Sequence, residues 1–223
     1  MRYEKKFPIK SKDLNLFYSW LSQIKGLNKI YNHRVVNSIY YDNSFLESAN
    51  DNLSGISYRH KYRIRWYGDN KDTNFNYEIK IKKNELGKKI VLPSKLNLLN
   101  SNINNLYLLN NYELNQLEDS NAIFYYISNT NLKPIIEINY IRTYYLYMNK
   151  INVTFDKCLQ FKNLKHQSNK CDFLKDSISV MEIKFNPTDM GCVHDLIKQC
   201  RFNQVRFSKY LRGLALTNLV QYI

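Results

Sequence analysis

Tyr58-Arg59-His60-Lys61-Tyr62-Arg63-Ile64-Arg65-Trp66-Tyr67 places all four of its arginines and lysines at odd positions. Residues i, i+2 and i+4 of an extended chain project from one face, so this segment reads as a β-strand with a wholly cationic face. Tyr77-Glu78-Ile79-Lys80-Ile81-Lys82 divides the same way, with Glu78, Lys80 and Lys82 on one side and Tyr77, Ile79 and Ile81 on the other. Arg2, Glu4 and Lys6 share a face of a first strand, and Glu182 and Lys184 share one in Val180-Met181-Glu182-Ile183-Lys184-Phe185. The pattern Glu-x-Lys thus recurs at 4/6, 78/80 and 182/184, more often than composition predicts, and each time inside a strand.

Working outward, alternation of β-branched and aromatic residues with charged ones predicts eight strands. They are Arg2–Ile9, Val35–Asp42, Ser57–Tyr67, Asn74–Lys83, Lys88–Leu92, Ile135–Tyr147, Asn152–Phe161 and Ser179–Phe185. Helices are expected at Lys12–Ile24, with Ser11 as a possible cap, at His194–Cys200 and at about Ser208–Val220. Between Pro93 and Pro134, apolar residues at three- and four-residue spacings predict one or two further helices, an insertion (93–134) outside the working part. A solvated outer face is the ordinary reading of one amphipathic strand. Four strands that gather cations beside sparse, regularly placed carboxylates favour a different arrangement. Closing the sheet turns the charged faces inward. The expected fold is therefore α+β, a single domain over residues 1–223: an eight-stranded antiparallel β-barrel tunnel with a polar, basic lumen and helices packed outside.

The charge balance points to an anionic partner. The 223 residues carry 33 Lys and Arg against 19 Asp and Glu, a net +14, and the 44 % hydrophobic content is enough for a real core. Residues 1–92 hold 18 basic and 9 acidic groups and residues 135–223 hold 13 and 7, whereas residues 93–134 hold 2 and 3. Cys158, Cys171, Cys192 and Cys200 make no Cys-x-x-Cys pair and read as free thiols. His33, His60, His166 and His194 show no metal-ligand spacing. The N-terminus lacks the apolar stretch of a signal peptide, and no window approaches the roughly 18 apolar residues of a membrane helix, so a cytoplasmic protein is expected.

Nearly the whole chain resembles the VTC (vacuolar transporter chaperone) catalytic domain of the CYTH, or triphosphate tunnel metalloenzyme, superfamily. The resemblance is carried in order by Arg2-Tyr3-Glu4-Lys5-Lys6-Phe7, Ser38-Ile39-Tyr40-Tyr41-Asp42-Asn43, Lys61-Tyr62-Arg63-Ile64-Arg65-Trp66-Tyr67-Gly68 and Glu78-Ile79-Lys80. It continues through Tyr140-Ile141-Arg142, Thr154-Phe155-Asp156, Glu182-Ile183-Lys184 and Phe207-Ser208-Lys209-Tyr210. It implies a tunnel that binds a triphosphate or polyphosphate along its axis with a divalent metal, Mn²⁺ or Mg²⁺. In active members it further implies a polyphosphate polymerase that uses a nucleoside triphosphate. The superfamily's hydrolases and cyclases begin with Glu-x-Glu-x-Lys. Here Arg2 stands at the first acid, which lowers metal capacity at that end and favours polyanion.

A triphosphate packs several negative charges into a short rod, and cations from several directions replace its water. Arg63 and Arg65 offer planar two-pronged donors, Lys80, Lys184 and Lys209 act as point charges, and Arg142 adds a clamp; these six are the candidate catalytic residues. Lys6, Lys61, Lys82, Tyr140 and Ser208 are candidate substrate-binding residues. By resemblance Ser208 and Lys209 contact phosphate, while Ser208 also suits a helix N-cap. Glu182 is the first metal candidate, matching the family's glutamate in the last Glu-x-Lys strand. Glu4 and Glu78 complete the set, and Asp156 stands beside them; each could equally pair with neighbouring lysines. Neither Lys88 nor Lys89 is singled out as the lysine that enters the tunnel. A tripolyphosphatase or RNA 5′-triphosphatase of the same fold stays open, as does a silent polyphosphate- or nucleic-acid-binding module. A nucleic-acid binder would present Arg59, Lys61, Arg63 and Arg65 on an open face beside stacking aromatics, whereas a tunnel buries Arg63 and Arg65 opposite Glu182.

Overall fold

The computed structural model describes residues 2–68, 75–93, 131–165, 172–198 and 200–220. The helices expected within 93–134 lie almost wholly outside these, as does Cys171. Among these residues lie nine strands: β1 (Tyr3–Lys10), β2 (Leu27–Asp42), β3 (Tyr58–Tyr67), β4 (Asn76–Lys83), β5 (Leu86–Pro93), β6 (Lys133–Tyr147), β7 (Ile151–Asn163), β8 (Leu174–Lys175) and β9 (Ile178–Phe185). Among the described residues four α-helices accompany them: α1 (Leu14–Gln23), α2 (Glu47–Leu53), α3 (Met190–Lys198) and α4 (Lys209–Leu216). None of them is long and apolar enough to cross a membrane.

All pairings are antiparallel, in the order β1-β9-β7-β6-β2-β3-β4-β5, with two-residue β8 on β7. In a flat sheet β1 and β4, six places apart, would lie about 29 Å from one another at ~4.8 Å per strand. Lys80 Nζ of β4 instead sits 2.7 Å from Glu4 Oε2 of β1, so the sheet curls until its ends face each other. The expected closed barrel is only partly met. Between β1 and β5 there is no ladder, only the bridge in which Arg2 N donates to Gly87 O (3.3 Å) and Gly87 N donates to Arg2 O (3.2 Å). Right-handed twist turns the end strands across one another, and the observed bridge joins them near their starts.

The strand interiors obey the alternation read from sequence. On the convex side Phe7, Ile9, Val153, Phe155, Met181, Ile183 and Phe185 pack beneath α1 and α3, where Phe17 stacks on Phe155 at 4.4 Å. Leu14, Phe17, Leu21 and Ile24 recur at helical spacing, which gives α1 its buried stripe. Full burial of a ring such as Phe17 is worth about 1.5–3 kcal/mol. The concave face divides in two. At one end Ile136, Ile138, Leu159, Phe161 and Val180 are covered by Tyr210, Leu211 and Leu214 of α4; at the other it carries charge.

Several boundaries differ from expectation for physical reasons. β2 starts eight residues early because Leu27–Arg34 pairs with the far end of β6 while remaining almost wholly exposed, which leaves no burial alternation to read. Ser11 does not cap α1; its Oγ donates to Ser177 O, and a 3₁₀ turn at Ser11–Asp13 leads into the helix. Helix α3 begins at Met190, after a turn opened by Pro187. Cys158, at φ +54°, forms a bulge where the β6 register shifts between Asn139 and Ile141. The extra residue swaps parity, so Asp156 before it and Phe161 after it share the concave face.

Candidate functional site

The charged end of the concave face collects side chains from β1, β3, β4, β5, β6, β7, β9 and α4. Two clusters result. In the first, Arg63 Nε donates to Glu78 Oε2 at 2.7 Å and its Nη1 to Tyr40 Oη at 2.8 Å. Arg65 Nε donates to Ser38 Oγ and its Nη2 to Tyr140 Oη, both at 3.0 Å. Lys89 Nζ donates to Glu78 Oε1 at 2.8 Å; of Lys88 and Lys89, the β4–β5 register sets Lys89 opposite Lys80 and Lys88 opposite Ile81. Burial alone would raise the Glu78 carboxyl, but Arg63, Arg65 and Lys89 outweigh it and hold it at about 2.

In the second cluster Arg142 grips Asp156 with two parallel hydrogen bonds of 2.6 and 2.7 Å. Lys209 Nζ lies 2.6 Å from Asp156 and 2.8 Å from Glu182. Glu182 also meets Lys184 at 3.2 Å, Arg142 at 3.5 Å and Lys6 at 3.7 Å. Glu4 shares Lys6 (4.0 Å) and Lys184 (3.9 Å) with it and takes Lys80 at 2.7 Å. Despite burial, these cations hold Glu182 and Glu4 well below the usual carboxylate range. Lys209 is raised: burial opposes its charge, but Asp156 and Glu182 prevail.

Tyr140 braces both clusters. Its hydroxyl accepts from Arg65, and its ring lies 5.3 Å from the Arg142 guanidinium carbon and 5.0 Å from Lys209 Nζ. Ser208 caps α4, accepting from Leu211 N, and also accepts from Lys61 Nζ at 2.8 Å, so cap and cationic site coincide. Lys61 is pushed well below the ordinary lysine value by burial and by Lys6, Lys80 and Arg59. Lys80 is held at about 8: burial lowers it, and Lys6 and Lys184 together with burial outweigh Glu4. Lys82 and Lys184 are lowered as well, chiefly by burial. A cavity of about 660 Å³ opens beside this network, lined among others by Glu4, Lys6, Arg59, Lys61, Lys80, Lys82, Arg206 and Ser208.

The structure thus brings Lys6, Lys61, Arg63, Arg65, Lys80, Arg142, Lys184 and Lys209 to one concave surface, with Glu4, Glu78, Asp156 and Glu182 among them. Including Lys89, nine cations bonded into this network face four carboxylates, and Arg59 and Lys82 on the same face add two more. Arg59 and Arg65 are buried and Lys61 and Arg63 point inward, which is not the open platform that a nucleic-acid reader requires. Lys82 lines the cavity opposite Arg59, and Arg2 stands exposed at the rim.

The three expected metal residues separate. Glu78 is occupied on both oxygens by Arg63 and Lys89, whereas Glu4 and Glu182 face a common pair of lysines. Among the described residues no three His, Cys, Asp or Glu side chains form a metal cage. Two carboxylates completed by phosphate oxygens are, however, the usual donor set for Mg²⁺. Sequence reasoning missed Arg206, which donates to Asn52 O at 2.9 Å on the cavity wall; it stands two residues before Ser208 in an extended segment, a parity signal that was available. Asp42, quoted for the resemblance, carried no assigned role. That buried carboxylate accepts from Asn43, Ser48 and Ala49 N–H and, at 2.7 Å, from Tyr210 Oη, tying α2 and α4 to β2.

The VTC domain profile matches residues 1–218. No curated protein matches the chain. Solved structures share the fold at low identity. A putative adenylyl cyclase from Hippeastrum, described as having a dominant triphosphatase activity, superposes with TM-score 0.57 at 12 % identity over 95 % of each chain. A putative adenylate cyclase from Bacillus halodurans gives 0.54 at 14 % identity over 93 % of this chain and 94 % of that one. A chain of the Schizosaccharomyces pombe Mediator head module gives 0.51 at 9 % over 92 % and 99 %.

Proposed function

The chain belongs to the VTC domain family, and on that premise we propose that its curled sheet acts as a triphosphate tunnel. In it, the γ-phosphoryl group of a nucleoside triphosphate is transferred to the end of a polyphosphate chain. The observation that carries this reading is the surplus of positive over negative side chains on one concave face, supplied by strands from both ends of the sheet. Such a surplus suits a polyanion that carries several negative charges.

Arg63 and Arg65, already held in place by Tyr40, Ser38, Tyr140 and Glu78, take phosphate oxygens without reorganising. Arg142, Lys184 and Lys209 receive the transferring group. Lys6, Lys61 and Lys80 hold the rest of the chain, and Lys82 and Ser208 hold its outer part. A terminal polyphosphate oxygen attacks the γ-phosphorus in line. The new O–P bond forms as the bond to the β–γ bridging oxygen breaks, and the nucleoside diphosphate leaves with that electron pair. No side-chain nucleophile is needed. Glu182, aided by Glu4, would hold Mn²⁺ or Mg²⁺ through the lysines' side of the cluster. When bound, the ion supplies further neutralisation of the phosphate oxygens.

The same residues serve hydrolysis if water replaces the polyphosphate oxygen. The Hippeastrum neighbour with its triphosphatase activity favours that second reading, and the Mediator chain is a reminder that the fold alone assigns no chemistry. Incubation of the pure protein with ATP and Mn²⁺, resolved on a gel, separates them. Polyphosphate ladders support transfer, and free phosphate alone supports hydrolysis. Absence of both turnover and tripolyphosphate binding would end both readings.

A further inference from the structure

Thr154 lies in the middle of β7, is 6 % exposed, and its Oγ1 has no hydrogen-bond partner among the described residues. Between Ile151 and Asp156, β7 pairs with both β6 and β9 without a register shift, so strand parity holds throughout. Thr154 therefore shares the concave face with Asp156 and stands directly across the ladder from Glu182. Its two acidic neighbours are occupied: Asp156 by Arg142 and Lys209, Glu182 by Lys209 and Lys184. A buried hydroxyl without a partner destabilises a protein. Valine would fill the same space here without a buried, unpartnered hydroxyl, so a polar group at this position calls for a polar visitor.

We propose that Thr154 Oγ1 donates a hydrogen bond to a phosphate oxygen of the polyanion bound beside Glu182. This rests on the tunnel reading and adds a substrate-touching residue to it. The donors that pair with Asp156 and Glu182 beside it are full cations. A hydroxyl adds a directional contact without adding charge; Thr154 faces Glu182 across one ladder and Tyr144 across the other, with Arg142 diagonal to it, beside the cations that receive the transferring group in this reading.

The test uses the whole chain with Thr154→Val and Thr154→Ser, in chelator-containing buffer, with tripolyphosphate as the probe. Titration calorimetry gives Kd, and a thermal melt gives the stability of the ligand-free protein. Thr154→Val keeps the shape and removes the orphaned hydroxyl. Its ligand-free melting temperature should equal or exceed that of the wild type, while its Kd rises about tenfold, the usual loss for a hydrogen bond to a charged group. Thr154→Ser should bind within about threefold of the wild type. Wild-type affinity in Thr154→Val overturns the inference alone, leaving the tunnel reading intact. A lowered melting temperature in Thr154→Val assigns the hydroxyl a structural role and also overturns it. Failure of the wild type to bind tripolyphosphate overturns the tunnel reading and the inference together.

Discussion

Replacing Lys80 by arginine should flatten the pH dependence of tripolyphosphate binding. Burial, with the repulsion of Lys6 and Lys184, outweighs Glu4 and holds the Lys80 ammonium at about 8. Between about pH 8 and the ordinary lysine value near 10.4 the unfolded chain therefore binds a proton that the ligand-free fold does not. Lys80 makes that fold more stable as pH rises through this window. A bound polyanion reverses the balance by pairing with the ammonium, so binding takes up a proton and weakens with rising pH. With a free value of about 8, Lys80 is about nine-tenths charged at pH 7 and about one-tenth charged at pH 9. The apparent Kd then rises about tenfold between those pH values, about 1.4 kcal/mol. The side chain keeps 32 % exposure, so screening by water makes tenfold an upper figure. Arginine stays charged throughout, and titration of the anion itself is common to both proteins and cancels in their ratio. Calorimetry in chelator at pH 7 and pH 9, on wild type and Lys80→Arg, reads the effect. Equal slopes in the two proteins would refute the reasoning.

Other consequences follow from the same geometry. A Cβ on Gly213 would lie 2.6 Å from both Ile136 Cδ1 and Phe161 Cδ1, so Gly213→Ala should cost about 1–3 kcal/mol in a denaturant melt; it should also weaken tripolyphosphate binding by displacing Lys209, one turn earlier in α4. Asp42→Asn leaves one amide facing the N–H groups at the start of α2 or the Tyr210 hydroxyl, and should lower stability by about 1–3 kcal/mol in the same assay. Arg65→Lys should lose tripolyphosphate affinity although the charge is kept, because one ammonium cannot span Ser38, Tyr140 and Glu78; unchanged calorimetric affinity would deny Arg65 its role. Glu182→Gln should abolish Mn²⁺-dependent turnover in the gel assay while tripolyphosphate still binds in chelator, since the surrounding cations remain.

Much of the site was legible because strand parity is a local rule. Arg59, Lys61, Arg63 and Arg65 could be placed on one face from ten residues of sequence, and Glu78 with Lys80 from six. Parity fails where the chain breaks it. The Cys158 bulge exchanges faces within β7 and leaves no composition signal. The Leu27–Arg34 half of β2 is exposed on both sides, so no alternation marks it. Contacts between distant segments are invisible for another reason: Asp42 meets Tyr210 across 168 positions, and only the fold places α4 against β2. The identity of the lysine that reaches Glu78 depended on the β4–β5 register, which a turn of Asn84-Glu85 flanked by similar residues does not specify. Closure of the sheet belongs to the same class. Inward charge could be read from the pattern, but whether β1 and β5 join by a full ladder or by one bridge depends on accumulated twist.

The convergence of these cations on one shared anion site is tested most directly by a crystal structure of the protein soaked in tripolyphosphate. The predicted result is a polyanion on the concave face with oxygens within hydrogen-bond distance of Arg63, Arg65, Arg142 and Lys184. Well-ordered tripolyphosphate confined to the outer surface, with the ion pairs of Glu182 and Asp156 undisturbed and those four residues untouched, would contradict it.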